Sequence, residues 1–264
     1  MDAIAKMKDA ARAGWSTFAP FEMTTCLVAP KLVSFAGVGP GSRVLDAGCG
    51  TGVVAVTAAR LGAAVKGLDL TPELLERARE NAKIAGVDIA FQEGDVEALP
   101  YPDASFDFVL SQFGHMFGPR PDVTTAELLR VLVPGGTIAF STWPPDVFTG
   151  RMFALLARYA PPPPEGASPP GLWGDPKLVA ERLGDRVRDL VFDRERLRLP
   201  GLSPNHVQLF LEVNVGPIQG LIAHLSSTPQ ELTNFRAEML ALIELYFDEN
   251  HLRQDFLMTR AVKV

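Results

Sequence analysis

Cysteine is scarce in this 264-residue chain: only Cys26 and Cys49 occur. Their spacing fits neither a zinc site nor a disulfide framework, and free thiols suit a reducing compartment. No stretch approaches the roughly 18 apolar residues that a membrane helix requires. The first six residues, Met1-Asp2-Ala3-Ile4-Ala5-Lys6, lack the apolar segment of a signal peptide. A soluble, cytoplasmic protein that does not engage membranes is therefore expected. Long basic runs are missing too, and 31 acidic against 25 basic side chains leave a net charge of −6. Neutralising phosphates supplies most of the affinity for a nucleic acid, so no nucleic-acid partner is expected. There is no internal repeat. Apart from the prolines at Pro161 to Pro164 and Pro169-Pro170, which read as a stiff loop, there is no biased segment.

Apolar residues make up 47% of the chain, enough for a sizeable core without crosslinks. The first 35 residues read as short amphipathic helices interrupted at Pro20 and Pro30, with Trp15, Phe18 and Phe21 as bulky points. After Gly39-Pro40-Gly41 the pattern changes to β-branched runs alternating with helical stretches, the signature of an α/β fold with a parallel sheet. Strands are expected at Arg43 to Asp46, Ala64 to Asp69, Asp88 to Gln92, Phe106 to Gln112 and Thr137 to Thr142. Helices are expected at Gly52 to Leu61, Pro72 to Ala85 and Asp122 to Val131. Thr71, Pro72 and Glu73 give the second helix its start, and Gly86 its end. Further on come a helix near Thr149 to Tyr159, a strand over Val187 to Leu199, two or three helices within Pro204 to Phe247, and a last strand over Phe256 to Val264.

The central motif is Val44-Leu45-Asp46-Ala47-Gly48-Cys49-Gly50-Thr51-Gly52, a strand entering a glycine turn and then a helix. Glycines let a ligand approach the backbone, and a helix start presents unpaired N–H groups. A dinucleotide turn would place its third glycine one residue later. Asp46, two residues before the first glycine, suits an ammonium group better than a pyrophosphate. Asp69 ends the next expected strand about 20 residues on, where a carboxylate commonly accepts ribose hydroxyl protons. Gly94-Asp95-Val96-Glu97 follows the third strand, and Asp103 to Ser111 enters a buried fourth one.

These four segments together resemble the class I S-adenosylmethionine-dependent methyltransferases, particularly the ubiquinone/menaquinone-biosynthesis-like group. Leu128 to Gly136 is similar to that group as well, so the likeness spans about residues 40 to 143. It implies a Rossmann-like, doubly wound, mostly parallel seven-stranded sheet with helices on both faces, an antiparallel last strand and a helical cap. By this resemblance, residues 1–38 form an N-terminal helical lid and 39–145 the cofactor-binding core. Residues 146–264 complete the domain, with the proline-rich loop at 161–170 and an acceptor cap at about 200–250. S-adenosylmethionine is the implied cofactor, S-adenosylhomocysteine its product, and a small molecule the acceptor of O-, N- or C-methylation. Asp46, Gly48, Cys49, Gly50 and Gly52 would hold the methionine portion, with Cys49 a small filler. Asp69 would bind the ribose, Leu70 pack on the adenine, and Asp95 and the Val96 backbone meet its amino group and ring nitrogen. Ser111 and Gln112 would stand near the transferable methyl.

A base is needed only if the acceptor must lose a proton, and His115, after the fourth strand, is the candidate. A structural ring is the alternative. His206, His224 and His251 suit surface or packing roles. Phe113, Met116, Phe117, Trp143, Phe148 and Trp173 could line an acceptor pocket or belong to the core. Acidic metal ligands after the fourth strand and the proline-proline-aromatic motif of base-amine methylation are both missing at Ser111-Gln112-Phe113-Gly114, so no metal is expected. The alternatives are a catalytically silent cofactor-binding regulatory protein and an NAD-dependent oxidoreductase. Either a monomer or a homodimer fits the sequence.

Overall fold

Val44 and Leu45 are adjacent and both fully buried, so the strand that carries them is covered on both faces. The computed structural model describes residues 3–264; Met1 and Asp2, at the start of the expected lid, lie outside the described residues. Helices α1 (Ala3–Trp15), α2 (Glu22–Thr25) and α3 (Ala29–Ala36) come first. Strand β1 (Arg43–Ala47) then leads into α4 (Val53–Arg60), β2 (Ala64–Asp69), α5 (Pro72–Ala85), β3 (Ala90–Glu93) and β4 (Phe106–Gln112). Next are α6 (Pro121–Arg130), β5 (Leu132–Thr142), α7 (Phe148–Tyr159), α8 (Pro176–Leu183) and β6 (Val187–Pro200). Helices α9 (Pro204–Asn214), α10 (Gly216–Leu225) and α11 (Pro229–Glu244), with strands β7 (Phe247–Asp248) and β8 (His251–Lys263), complete the chain.

The strands form one sheet in the order β3-β2-β1-β4-β5-β8-β6, with β7 hydrogen-bonded to β8 alone. Strands β1 to β5 pair in parallel, while β8 runs antiparallel between β5 and β6. The expected Rossmann-like sheet with an antiparallel last strand is therefore present. Val44, Val65, Leu110 and Ala139 pack one face against α3 and α4. Leu45, Leu68, Val109 and Ile138 pack the other against Leu128 and Leu129 of α6 and Val179 and Leu183 of α8. A third apolar cluster lies among α7, α9, α10 and α11, and it takes in Phe21 from the N-terminal segment and Leu252 from β8. Helix α1 is seated on α10 through two glycines: a Cβ on Gly216 would fall 2.3 Å from the Gly14 carbonyl oxygen.

Two strands begin five residues before the sequence expectation. The last strand starts at His251, five residues before Phe256, because Glu249 and Asn250 form a tight turn that folds β7 back onto β8. Both turn residues have positive φ, 45° and 61°, as the primed hairpin turns require. Glutamate is an unusual residue there, and the turn is hard to see in the sequence. The fifth strand likewise begins at Leu132 rather than Thr137, with Pro134-Gly135-Gly136 forming an irregularity in the β4–β5 register.

Candidate active site

In a parallel sheet every strand delivers its carboxyl end to the same edge, and ligands bind where the strand order reverses. That reversal falls between β1 and β4, and the turns following them touch backbone to backbone. Gly48 has φ +70°, and a Cβ there would lie 2.8 Å from Gly114 Cα. A Cβ on Gly114 would come within 2.4 Å of the Gly48 carbonyl oxygen. Only glycine fits at either position.

A large cavity opens at this edge. About 210 Å³ of it is open to the centres of water molecules, many times what one water needs. Gly48, Cys49 and Gly50 line it from the first turn, Asp69 and Leu70 from the second, and Asp95 and Val96 from the third. Gln112 lines it from the end of β4. Eight of the residues singled out in the sequence thus meet around one space. Asp69 accepts the Gly50 N–H at 2.8 Å and the Thr71 N–H at 2.9 Å, fixing its carboxylate across two turns. Burial pushes its pKa up, and those N–H groups oppose the shift.

Asp46 stands behind the glycine turn rather than in the cavity wall. Its Oδ2 accepts the Ala55 N–H at 2.9 Å, and its Oδ1 is buried without a hydrogen-bond partner among the described residues. Burial, with the Asp69 charge adding to it against the Ala55 bond, pushes Asp46 up to about 7. Gly52 is also set back, with a virtual Cβ 3.1 Å from Ala78 and 3.2 Å from Phe91. Cys49 is buried, and burial raises its thiol pKa well above the usual value, as befits a filler and not a nucleophile.

Two expectations need correction. Ser111 is fully buried and does not line the cavity. Its hydroxyl donates to the Ala47 carbonyl at 2.6 Å and accepts the His115 N–H at 2.9 Å, tying β1 to the turn after β4. The His115 ring is likewise outside the cavity wall and wholly buried, 4.5 Å from the Phe140 ring and 4.6 Å from that of Trp173. Neither ring nitrogen has a partner among the described residues. Burial, helped by the Arg182 charge, lowers its pKa to about 3. The structure thus gives the ring a packing role between Phe140 and Trp173. Of the aromatic candidates, Trp15, Phe18, Phe21, Phe113, Phe117 and Trp143 line the cavity, whereas Met116, Phe148 and Trp173 are core residues.

The sequence reading missed Lys8 and Glu22. Lys8 of α1 donates to Asp95 Oδ2 and Glu97 Oε2, each at 2.5 Å, joining the N-terminal segment to the loop after β3. Asp95 also accepts the Glu97 N–H, so both its oxygens are already engaged. Glu22 accepts from Arg77 and from Asn81, whose amide also donates to the Thr51 carbonyl. Burial would raise the Glu22 pKa, but the Arg77 and Asn81 bonds outweigh it and hold the carboxylate below its usual range. A lone charge in a short amphipathic helix carries no signal of such long-range partners.

An open parallel sheet with a glycine turn at its switch point and one inserted antiparallel strand is the architecture of the Rossmann-like methyltransferases. Residues 45–140 match the model of the family described as a methyltransferase domain. The chain is 35% identical over 235 residues to an uncharacterized protein of Mycobacterium tuberculosis, covering 89% of this chain and 86% of that one. It is also 40% identical over 126 residues to a demethylmenaquinone methyltransferase of Deinococcus radiodurans, covering 46% and 52%. A solved structure of a candidate methyltransferase from Bacillus halodurans superposes with a TM-score of 0.60 at 20% identity, covering 89% and 98%. This chain belongs to the class I S-adenosylmethionine-dependent methyltransferases and resembles their ubiquinone/menaquinone group. Among the described residues no helix is long and apolar enough to cross a membrane.

Proposed function

We propose that this methyltransferase carries the methyl group of S-adenosylmethionine to a small-molecule acceptor by in-line displacement within the cavity described above. One observation carries the reading: the turns after β1, β2 and β3 share a single space with side chains from α7, β6 and β8. The residues suit the cofactor. Gly48 lets the turn after β1 lie against the turn after β4 at the cavity edge, and Asp69, with one N–H on each oxygen, keeps lone pairs for two hydroxyls. The buried Asp46 Oδ1 has no hydrogen-bond partner among the described residues. The bound cofactor would supply an already activated methyl on a cationic sulfur, so the chain's own work is positional.

Asp69 orients the ribose, Leu70 covers the base, and Asp95 with Val96 meets its edge. Asp46 acts through the turn by charge and not by contact. Trp15 and Phe18 close the space from the N-terminal side and exclude water, so the N-terminal segment serves as the lid. Helices α7 and α9 to α11 form the acceptor cap. No proton is taken by His115, and Glu22 is held as a carboxylate by Arg77 and Asn81.

Melting curves with S-adenosylmethionine, S-adenosylhomocysteine and NAD test the reading. Ligand at about a hundred times its dissociation constant adds about 2.7 kcal/mol, a rise of several degrees. The two sulfur ligands should raise the melting temperature and NAD should not. A rise with NAD alone would refute the proposal.

A further inference from the structure

Charge is distributed unevenly around the cavity. Its charged lining residues, Lys8, Glu22, Asp69 and Asp95, come from the N-terminal segment or the turns after β2 and β3. Every lining residue from the end of β4 onward, Gln112 to Gln254, is uncharged. That wall is mostly aromatic and aliphatic, with Phe113 stacked on Trp143 at 3.9 Å.

Within this apolar wall two buried polar side chains keep unused hydrogen-bonding capacity. Gln254 alternates along β8 with Leu252 and Phe256, both fully buried, so an amide stands in an apolar row. It is 6% exposed, lines the cavity, and its amide makes no hydrogen bond among the described residues. Thr149, at the start of α7, is 5% exposed and also lines the cavity, and its hydroxyl has no partner among the described residues. Gln112, at the end of β4, keeps less, because its amide N–H is spent on the Thr25 carbonyl at 2.9 Å and only its Oε1 is left without a partner among the described residues. Buried polar groups are normally paired, and packing alone gives no reason for an amide and a hydroxyl on this wall.

We propose that Gln254 and Thr149 are the polar anchors of the methyl acceptor, and that the acceptor is an uncharged, mainly apolar molecule bearing a hydroxyl or carbonyl. The inference rests on the cofactor occupying the opposite side of the cavity, as proposed above. A carboxylate, phosphate or ammonium would be desolvated on this wall without a counter-charge. A hydroxyl or carbonyl finds an amide and a hydroxyl waiting, and each can donate or accept.

The test uses the full chain saturated with S-adenosylhomocysteine, whose own melting shift reports separately on the cofactor reading. Calorimetric titration would compare 2-naphthol, naphthalene, 2-naphthoate, 2-naphthyl phosphate and 2-(aminomethyl)naphthalene. Burial of an unpaired charge should make each ionic probe bind at least about tenfold more weakly than 2-naphthol. Gln254→Leu, which continues the apolar row, and Thr149→Val, which keeps the shape, should each weaken 2-naphthol about three- to tenfold, leaving naphthalene and the homocysteine ligand unchanged. Equal or tighter binding of an ionic probe overturns the proposal. So does an undiminished 2-naphthol affinity in both variants, or failure of 2-naphthol to bind the loaded protein. A missing S-adenosylhomocysteine shift refutes the cofactor reading instead.

Discussion

His115→Leu should stabilise the protein in acid and leave it almost unchanged near neutrality. The imidazole is sealed between Phe140 and Trp173 with both nitrogens unpartnered, so leucine removes no hydrogen bond and has similar bulk. Burial and the Arg182 charge lower the folded pKa to about 3, while the unfolded chain titrates near 6.5. Below about pH 6.5 the unfolded chain therefore binds a proton that the folded protein refuses. Stability from the neutral ring is complete above that pH and is lost as pH falls toward the folded value. At pH 5 the loss is about 1.36 kcal/mol for each of about 1.5 pH units, or about 2 kcal/mol. Because pH 5 lies well above the folded pKa, the figure depends little on its exact value. Urea unfolding of both proteins at pH 7.5 and pH 5.0 measures it, and the variant should gain about 2 kcal/mol over wild type between the two conditions. An equal difference at both pH values would refute the buried neutral imidazole. Loss of methyl transfer in a folded variant that still binds S-adenosylhomocysteine would restore the ring to the chemistry.

Asp46 should show the opposite slope. Its folded pKa of about 7 exceeds the unfolded value of about 3.9, so the folded protein keeps a proton the unfolded chain has lost, and stability falls as pH rises through that window. Asp46→Asn should therefore gain about 2–3 kcal/mol over ligand-free wild type between pH 5 and pH 8, read from the same urea curves. Gly114→Ala forces a methyl within 2.4 Å of the Gly48 carbonyl. We expect it to cost about 1–3 kcal/mol in melting experiments and to abolish the S-adenosylhomocysteine shift; a normal shift would mean the two turns can part without harm. Lys8→Ala removes the link from α1 to Asp95 and Glu97, while Arg120 still holds Glu97. S-adenosylhomocysteine should leave the variant about five- to tenfold faster in stopped flow, and added salt should speed release from wild type but not from the variant.

The core of the fold was legible because its signals are local. Strands β1, β2 and β4 are short apolar runs, and Pro72 and Gly86 mark the ends of α5 where the structure has them. The turn residues were legible for the same reason, since Gly48, Gly50, Asp69 and Asp95 each sit at the end of a readable strand. Ser111 lies outside the cavity wall because successive residues of a strand face opposite ways and Gln112 takes the cavity side, whereas His115, in the turn beyond β4, packs its ring against Phe140 and Trp173. Gln254 could not be found from local pattern. The sequence pattern starts the last strand two residues later, at Phe256, and the place of Gln254 opposite α7 across the cavity arises only once the chain is folded. Lys8 and Glu22 share that difficulty, with partners 87 and 55 residues away.

The glycine-to-glycine contact between α1 and α10 carries a consequence for traffic through the enzyme. With no side chain between Gly14 and Gly216, the first helix rests on α10 backbone to backbone. On the proposed reading of lid and cap, the cover of the nucleoside end and the cover of the acceptor chamber should then move as one door. A molecule that props the chamber shut should detain the spent cofactor, and departure of either should loosen the hold on the other. Turnover should then proceed by whole-door openings, with spent cofactor and product released together.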